Sequence, residues 1–453
     1  MNAAGVFDVI VVGGGVSGIT AAVRLSAAGR RVMLLEKRAY LGGRASSFLD
    51  QHTHTLIDHS QHVMLECCTE FDTLLRALNV SHHIRYLDQI RYLLPDGSQA
   101  ALSACALPVP YHLLPSLLMM RGLGMRDILS VNRLLKAARS SLDLAEAGSA
   151  GGNEESTFDD LCRQARLTPS ARRIIVEPLI FSACNAPIEE VSAKYGAMAI
   201  SDGIMAGRRA YRIGVPRVPL AELFTDPTIE LLRRNGSDAR LQTNVVSMER
   251  TGPGVRVRDI AGRSWAANAC VLALPYGRLV RLAPDRVLTS QQASVAERLV
   301  PSPIVAAHLW FDEDLRLPEA TCLPGRATHW IFHRTCAPNA HCAAGSYITT
   351  VTSGDRSLAS LSGSRILEIV LRDLQAALGT TMSIRPVHHR VVRERSATFV
   401  PAPGVDRFRP AVHTRYPEFV VAGDWTDTGW PATMEGAARS GRSAAAALLA
   451  SLR

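Results

Sequence analysis

The stretch from Asp8 to Glu36, DVIVVGGGVSGITAAVRLSAAGRRVMLLE, limits the folds open to this chain more than any other. Val9, Ile10, Val11 and Val12 form a continuous run of β-branched residues, the pattern of a strand buried on both faces of a parallel sheet. Gly13, Gly15 and Gly18 follow at once in G-x-G-x-x-G spacing. The first glycine permits a tight turn, the second lets the backbone approach a pyrophosphate, and the third lets a helix pack closely on the sheet. The spacing predicts that helix over Ser17–Ala28, stopped by Gly29, so that its amino end, with Val16 and Ser17, turns free N–H groups toward the phosphate. A second apolar strand, Val32–Leu35, stops at Glu36, where a carboxylate can accept hydrogen bonds from both hydroxyls of an adenosine ribose.

A lone G-x-G-x-x-G motif is weak, because glycine-rich turns are common. Strand, turn, helix, strand and terminal acid in order make an ordinary turn a poor reading. The acid favours an unphosphorylated ribose, hence FAD or NAD over NADP. Just beyond it, Glu36-Lys37-Arg38 leads to a second glycine pair, Gly42-Gly43, followed by Arg44. This run resembles the FAD-binding start of the amine oxidase and phytoene desaturase superfamily. The resemblance selects FAD, implies a place for Arg44 beside the phosphates, and puts Lys37 and Gly43 among the cofactor contacts.

At 453 residues the chain has length for two or three cores, which need not be contiguous in sequence. The fold class expected is α/β: a Rossmann-type FAD-binding domain with an inserted α+β substrate domain. The expected division gives residues 1–85, 216–300 and 396–453 to FAD and residues 86–215 and 301–395 to a substrate-binding cap. The net charge of +9 is carried by arginine, since the only lysines are Lys37, Lys136 and Lys194. Such a bias is either genomic composition or a means of peripheral contact with an anionic membrane. Nucleic acid is a poorer partner, because no aromatic-interleaved basic block is present. Nine scattered cysteines without a C-x-x-C pair or metal-ligand spacing argue against disulfides and against any metal. No basic region precedes the first apolar run, and no unbroken apolar stretch reaches the roughly 18 residues a bilayer span requires. The expected location is cytoplasmic, with peripheral association at the inner membrane face left open.

Along the chain, Thr69–Leu78 has helical spacing, residues 86–102 read as a hairpin turning at Pro95-Asp96-Gly97, and residues 126–147 read as a helix. The apolar segment 107–120 is broken by Pro108, Pro110 and Pro115, so it is core, a lipid entrance or a membrane-dipping face. Gly148–Gly152 suggests a flexible loop, and Thr157-Phe158-Asp159-Asp160 a capped helix start. Residues 240–250 read as one strand, which in FAD enzymes of this type offers a backbone contact to adenine, assigned here to Val246. Residues 304–311, 328–333 and 346–352 read as strands of a second sheet, with a covering helix over Ser364–Leu378. Phe419–Asp424 is a further buried strand ending in Gly423 and Asp424.

Three runs together narrow the resemblance. They are G-D-W-T-D-T-G-x-P-A-T-x-E-G-A-x-x-S-G from Gly423, D-x-x-Q-H-V from Asp58, and L-I-F-S-A-C-N-A-P-I-E-E-V-S-A from Leu179. Over nearly the whole chain they resemble hydroxysqualene dehydroxylase, the squalene-associated FAD-dependent branch of bacterial hopanoid synthesis. The sequence departs from that pattern at His59-Ser60, at Glu66-Cys67-Cys68 and at Trp430. The resemblance implies that hydroxysqualene is reduced to squalene by hydride from flavin N5 delivered to an allylic cation, with a flavin reductant that the sequence does not identify. It also implies cofactor contacts from Asp424 and from the helix start at Thr433, Met434 and Glu435. That helix would aim its amino end at the flavin edge that gathers negative charge on reduction.

Protonating the leaving hydroxyl falls to Asp58 and His62 first, then to His59 and Gln61. An adjacent carboxylate would raise the histidine pKa and keep it charged. The same turn reads equally as a structural cap. Two alternatives remain from sequence: an FAD-dependent carotenoid or squalene desaturase, which would oxidise its polyprenoid, and a non-catalytic flavoprotein or prenyl-lipid carrier.

Overall fold

A computed structural model describes residues 7–146, 155–252, 254–284, 286–335, 345–380 and 383–452. The loop expected at Gly148–Gly152 lies outside the described residues. The strand Phe7–Val12 stands at the centre of a seven-stranded sheet. Val32–Leu35 and then Asp238–Arg240 lie parallel to it on one side. On the other, Ser264–Leu272 lies parallel, followed by Phe419–Val421 and an antiparallel pair, Gly254–Asp259 and Val245–Thr251. Chain start and chain end thus meet in one sheet.

The apolar run explains why this sheet is interior. Successive side chains point to opposite faces of a strand. Val9 and Val11 pack in the core under the helices Val16–Ala27, Leu220–Arg234 and Met434–Ser451, while Ile10 and Val12 pack in a second core on the opposite face. The carboxyl-terminal helix lies tight against Val16–Ala27 because both are built of small residues. A Cβ on Gly441 would stand 2.3 Å from the Ser17 carbonyl oxygen. This approach carries Thr433–Glu435 to the glycine-rich turn.

A second seven-stranded sheet runs His388–Phe399, Pro301–Phe311, Ser346–Ser353, Trp330–Thr335, Ala320–Cys322, Ile90–Leu93 and Gln99–Leu102. The helix Gly363–Leu378 covers it, burying Ile366, Val370 and Leu374 against Leu309 and Ile348. Between the sheets lie helices drawn from residues 111–146 and 158–204, including two π-helical stretches, Arg172–Val176 and Ala199–Ile204.

Three expectations shift. The crossings placed at 85/86, 215/216 and 395/396 fall inside the strands Ile84–Leu87, Ile213–Pro216 and His388–Phe399, because the chain passes between layers while extended. The single strand over 240–250 is two, Asp238–Arg240 and Val245–Thr251, parted by a turn in which Gln242 takes φ of 49°. After Pro219 the chain forms a helix not foreseen from the sequence, Leu220–Arg234. The capped start at Thr157 is present in full, with Thr157 and Asp160 bonding each other's backbone N–H.

Candidate active site

One cavity of about 520 Å³ joins the glycine-rich turn to the helices between the sheets. At the turn, Gly13 takes φ of 107°, and a Cβ there would meet the Ala273 carbonyl oxygen at 2.2 Å. A Cβ on Gly18 would stand 2.0 Å from the Gly13 carbonyl oxygen, so this glycine serves packing and lies off the cavity. Gly15 differs: a Cβ would find only the Gly43 Cα, at 3.9 Å, and the open space belongs to the cavity. The helix behind it has no side-chain cap and no acid in its first turn. Its first N–H groups and partial positive charge, with Val16 and Ser17 in the cavity wall, form a cradle suited to an anion.

Glu36 is buried, with one carboxylate oxygen accepting from Gly14 N at 2.7 Å and the other from Arg38 N at 2.8 Å. Each oxygen keeps a further lone pair for a hydroxyl. Lys37, Arg38 and Arg278 stand around it in the wall, and burial together with these arginines lowers the Lys37 pKa. Arg38 also donates to the Gly43 carbonyl at 2.9 Å, and Gly42 N donates to the Gly14 carbonyl at 2.8 Å, tying the second glycine pair to the first.

Arg44 and Asp424, both expected at the cofactor, meet each other at 2.5 Å. Burial works against the Arg44 charge, and Asp424 more than restores it, so its pKa rises. The pair couples the two ends of the chain at the cavity wall. Gly423 donates its N–H to Ser440 Oγ at 2.9 Å, and Thr433 caps the last helix by accepting from Gly436 N at 3.1 Å. Thr433 and Met434 line the cavity. Glu435 also reaches the wall, but its carboxylate accepts from Phe71 N at 2.9 Å and from Arg439 Nε at 2.8 Å, holding the helix Thr69–Ala77 in place. Val246 is a correction: it is 45% exposed and off the cavity, while Thr243, Asn244 and Val245 line it. A bulge between Val245 and Ser247 sets the strand one residue away from the simple alternation.

The polar turn divides. Asp58 does not line the large cavity; it accepts from Ser47 Oγ at 2.7 Å and from Leu220 N at 2.9 Å. It therefore caps the amino end of Leu220–Arg234, and the expectation that it is a catalytic acid is withdrawn. His59, Gln61 and His62 do line the cavity. His59 Nδ1 donates to the Ser46 carbonyl at 2.8 Å and His62 Nδ1 to the Ser60 carbonyl at 2.9 Å. A carbonyl only accepts, so each Nδ1 carries the hydrogen and each neutral ring has its lone pair at Nε2. Burial lowers the His62 pKa despite the pull of Asp58, contrary to the expected rise. Gln61 accepts from Arg334 at 3.1 Å, which fixes the turn to the second sheet.

Beyond the turn the wall becomes apolar. Tyr92, Leu113, Leu134, Ile175, Met198 and Phe332 line it, joined by Trp330 and by Ile204 and Met205 at the end of a π-helical stretch.

A family model described as flavin containing amine oxidoreductase matches residues 16–449. The chain belongs to that family. The flavin containing amine oxidoreductase described here is 27% identical over 441 residues to the hydroxysqualene dehydroxylase of Sinorhizobium fredii, covering 97% of each chain. It is 21% identical to the 15-cis-phytoene desaturase of Solanum lycopersicum, covering 98% of this chain and 77% of that one. Cyclohexylamine oxidase from Brevibacterium oxydans has the same fold, with a TM-score of 0.72, 19% identity, and coverage of 98% and 99%.

The protein is thus an FAD-dependent oxidoreductase, and FAD suits the site on the structure's own terms: uncapped helix amides for the pyrophosphate, a glycine cradle, and a buried acid for the ribose. Family membership removes the non-catalytic carrier from consideration. Sequence reasoning missed several members of this flavin containing amine oxidoreductase's site. Arg409, 2% exposed, donates to the Asp424 carbonyl at 3.0 Å and to Thr428 Oγ1 at 2.8 Å, and so braces the carboxyl-terminal motif. Cys67 and Cys68 line the cavity; a hydrogen bond from Cys68 lowers the Cys67 pKa, and the Cys68 thiol is raised. Nothing local in the sequence marks Arg409 among so many arginines, whereas the vicinal cysteines were visible as a departure from the family pattern.

Proposed function

We propose that this flavoenzyme replaces the allylic hydroxyl of hydroxysqualene with hydrogen, giving squalene for bacterial squalene and hopanoid synthesis. The observation that carries the reading is continuity: the dinucleotide cradle and an apolar chamber are one cavity, joined at the turn His59–Met64. The hydroxysqualene dehydroxylase name of a relative matched over 97% of both chains supports the substrate class.

FAD, when bound and reduced, supplies hydride at N5. The chain supplies the rest. Leu134, Ile175, Met198 and Phe332 keep water from a developing allylic cation. His62, with Nδ1 committed to Ser60, protonates the departing oxygen from Nε2. Its lowered pKa makes the charged form scarce at neutral pH and a ready proton donor when formed. His59 and Gln61 orient the hydroxyl beside it. Arg44 and Asp424 would hold the cofactor's phosphate and ribityl portions, with Gly13, Gly15, Val16, Ser17, Glu36, Lys37, Gly43, Gly423, Thr433 and Met434, which line the same cavity, as the surrounding contacts.

A second reading, a polyprenoid desaturase, is favoured by the likeness to 15-cis-phytoene desaturase across 98% of this chain. Product analysis separates the two. Under reducing conditions hydroxysqualene should yield squalene. Formation of new double bonds in squalene or phytoene under oxidising conditions, with hydroxysqualene untouched, would replace the first reading by the second.

A further inference from the structure

The proline-broken segment after the hairpin is built with two unlike faces. Its short helices, Tyr111–Leu113 and Leu114–Met119, and the long helix Met125–Glu146 turn Leu113, Leu117, Leu134 and Leu135 inward to the cavity. Their outer side carries Leu107, Tyr111, Leu118, Met119, Met125 and Leu129, with Met119 84% exposed and Met125 63%. Few soluble surfaces gather so many large apolar side chains in 23 consecutive residues.

The charge around this patch is mostly basic, with Asp96 the exposed carboxylate whose pKa Ser98, by hydrogen bonding, and Arg121 help to lower. No carboxylate occurs from Gly97 to Arg126. Asp127, which follows, is half-buried and engaged within the fold, accepting from Gly124 N at 2.7 Å and from Thr168 Oγ1. Arg121 and Arg126 are exposed at the patch, and Arg208 lies close enough to His112 to lower its pKa. Apolar side chains rimmed by arginine match a bilayer with anionic headgroups: leucine and methionine enter the acyl boundary while guanidinium groups stay with phosphate. Among the described residues no helix is long and apolar enough to cross a membrane, so the contact lies in the interfacial plane.

We propose that the outer face of residues 107–129 docks the protein on an anionic lipid surface, and that a polyprenoid passes from the bilayer into the cavity between these helices and Ile204–Met205. The docking rests on the patch alone; the cargo rests on the proposed function. A second copy of the chain is a weaker occupant, since two such faces would bring arginine against arginine.

The test uses the intact holoenzyme, flotation on vesicles of phosphatidylcholine alone or with phosphatidylglycerol, and size-exclusion chromatography. Wild type should float only with the anionic vesicles, and added salt should release it. Met119→Glu should weaken flotation at least tenfold. Arg121→Glu and Arg126→Glu should each weaken it about fivefold or more, as expected for removing a charge at an anionic surface. All three should retain FAD and turn over detergent-dispersed substrate as wild type does. Absence of flotation, equal flotation on neutral vesicles, or variants that instead turn a dimer into a monomer would overturn the docking. A protein that floats but does not act on hydroxysqualene would leave the docking standing and defeat the proposed function.

Discussion

The two ends of the cavity are built by different means. At the cofactor end, shape is set by backbone: a Gly18 Cβ has no room, Gly13 has a positive φ, and the helix start is left uncapped. At the apolar end, shape is set by side chains from helices that include π-helical turns, with Leu, Ile and Met filling the walls. A backbone-built site tolerates almost no substitution at a few positions and wide variation elsewhere. A side-chain-built chamber can be remodelled gradually. One scaffold can therefore keep its cofactor while its relatives are named for different polyprenoids.

The sharpest attempt to break this contrast is Gly18→Ala. One methyl group against a carbonyl oxygen should cost about 3 kcal/mol or more, and the purified protein should be colourless. Retention of flavin with an unchanged melting temperature would refute the backbone account. Next comes the turn where the two ends meet. His62→Ala should slow reoxidation of reduced flavin by substrate about a hundredfold, within the range for a lost general acid, while FAD stays bound. Asp58→Asn should do the reverse, lowering stability by about 1–3 kcal/mol through the loosened helix cap with reoxidation close to wild type. Exchange of these two phenotypes would restore Asp58 as the acid.

Glu36→Gln should weaken FAD binding about tenfold, since the amide can accept from only one of the Gly14 and Arg38 N–H groups and has no charge to offer a ribose hydroxyl. Fluorescence titration of the apoprotein reads this directly, and turnover at saturating FAD should not change.

The effect that is absent at neutral pH and appears only in acid falls on the second sheet. Burial lowers His308 to about 3 and His329 to about 4, from an ordinary 6.5. The unfolded chain binds these protons below 6.5 and the folded chain does not. Their contribution to stability is complete above 6.5 and is lost as pH falls from there toward 4 and 3. Melting temperature should drop through that window, and His308→Gln should flatten the drop. A variant as acid-sensitive as wild type would show that this histidine is not responsible.

The cofactor end was largely legible in the sequence because glycine, a strand-terminal acid and an apolar run each have few physical uses in that order. Its errors were local. Val246 was displaced by a bulge, the carboxylate of Glu435 was drawn off by Phe71 N, and Arg44 and Asp424 found each other across the chain. Asp58 and His62 were indistinguishable by residue type. Their roles parted only when distant elements arrived: Leu220 claimed the acid, and burial kept the histidine neutral. The chamber was the least legible part, since helices over 172–204 with π-helical turns have no clean 3.6-residue period, and the Arg409 brace depends wholly on tertiary placement.

The central claim is that flavin and polyprenoid meet in one continuous cavity, and a single anaerobic turnover tests it most directly. The bound flavin is fully reduced, hydroxysqualene is added without any other oxidant, and absorbance is followed while products are extracted. The account predicts return of the oxidised flavin spectrum with one squalene formed per flavin. A flavin that stays reduced while hydroxysqualene remains intact would contradict it.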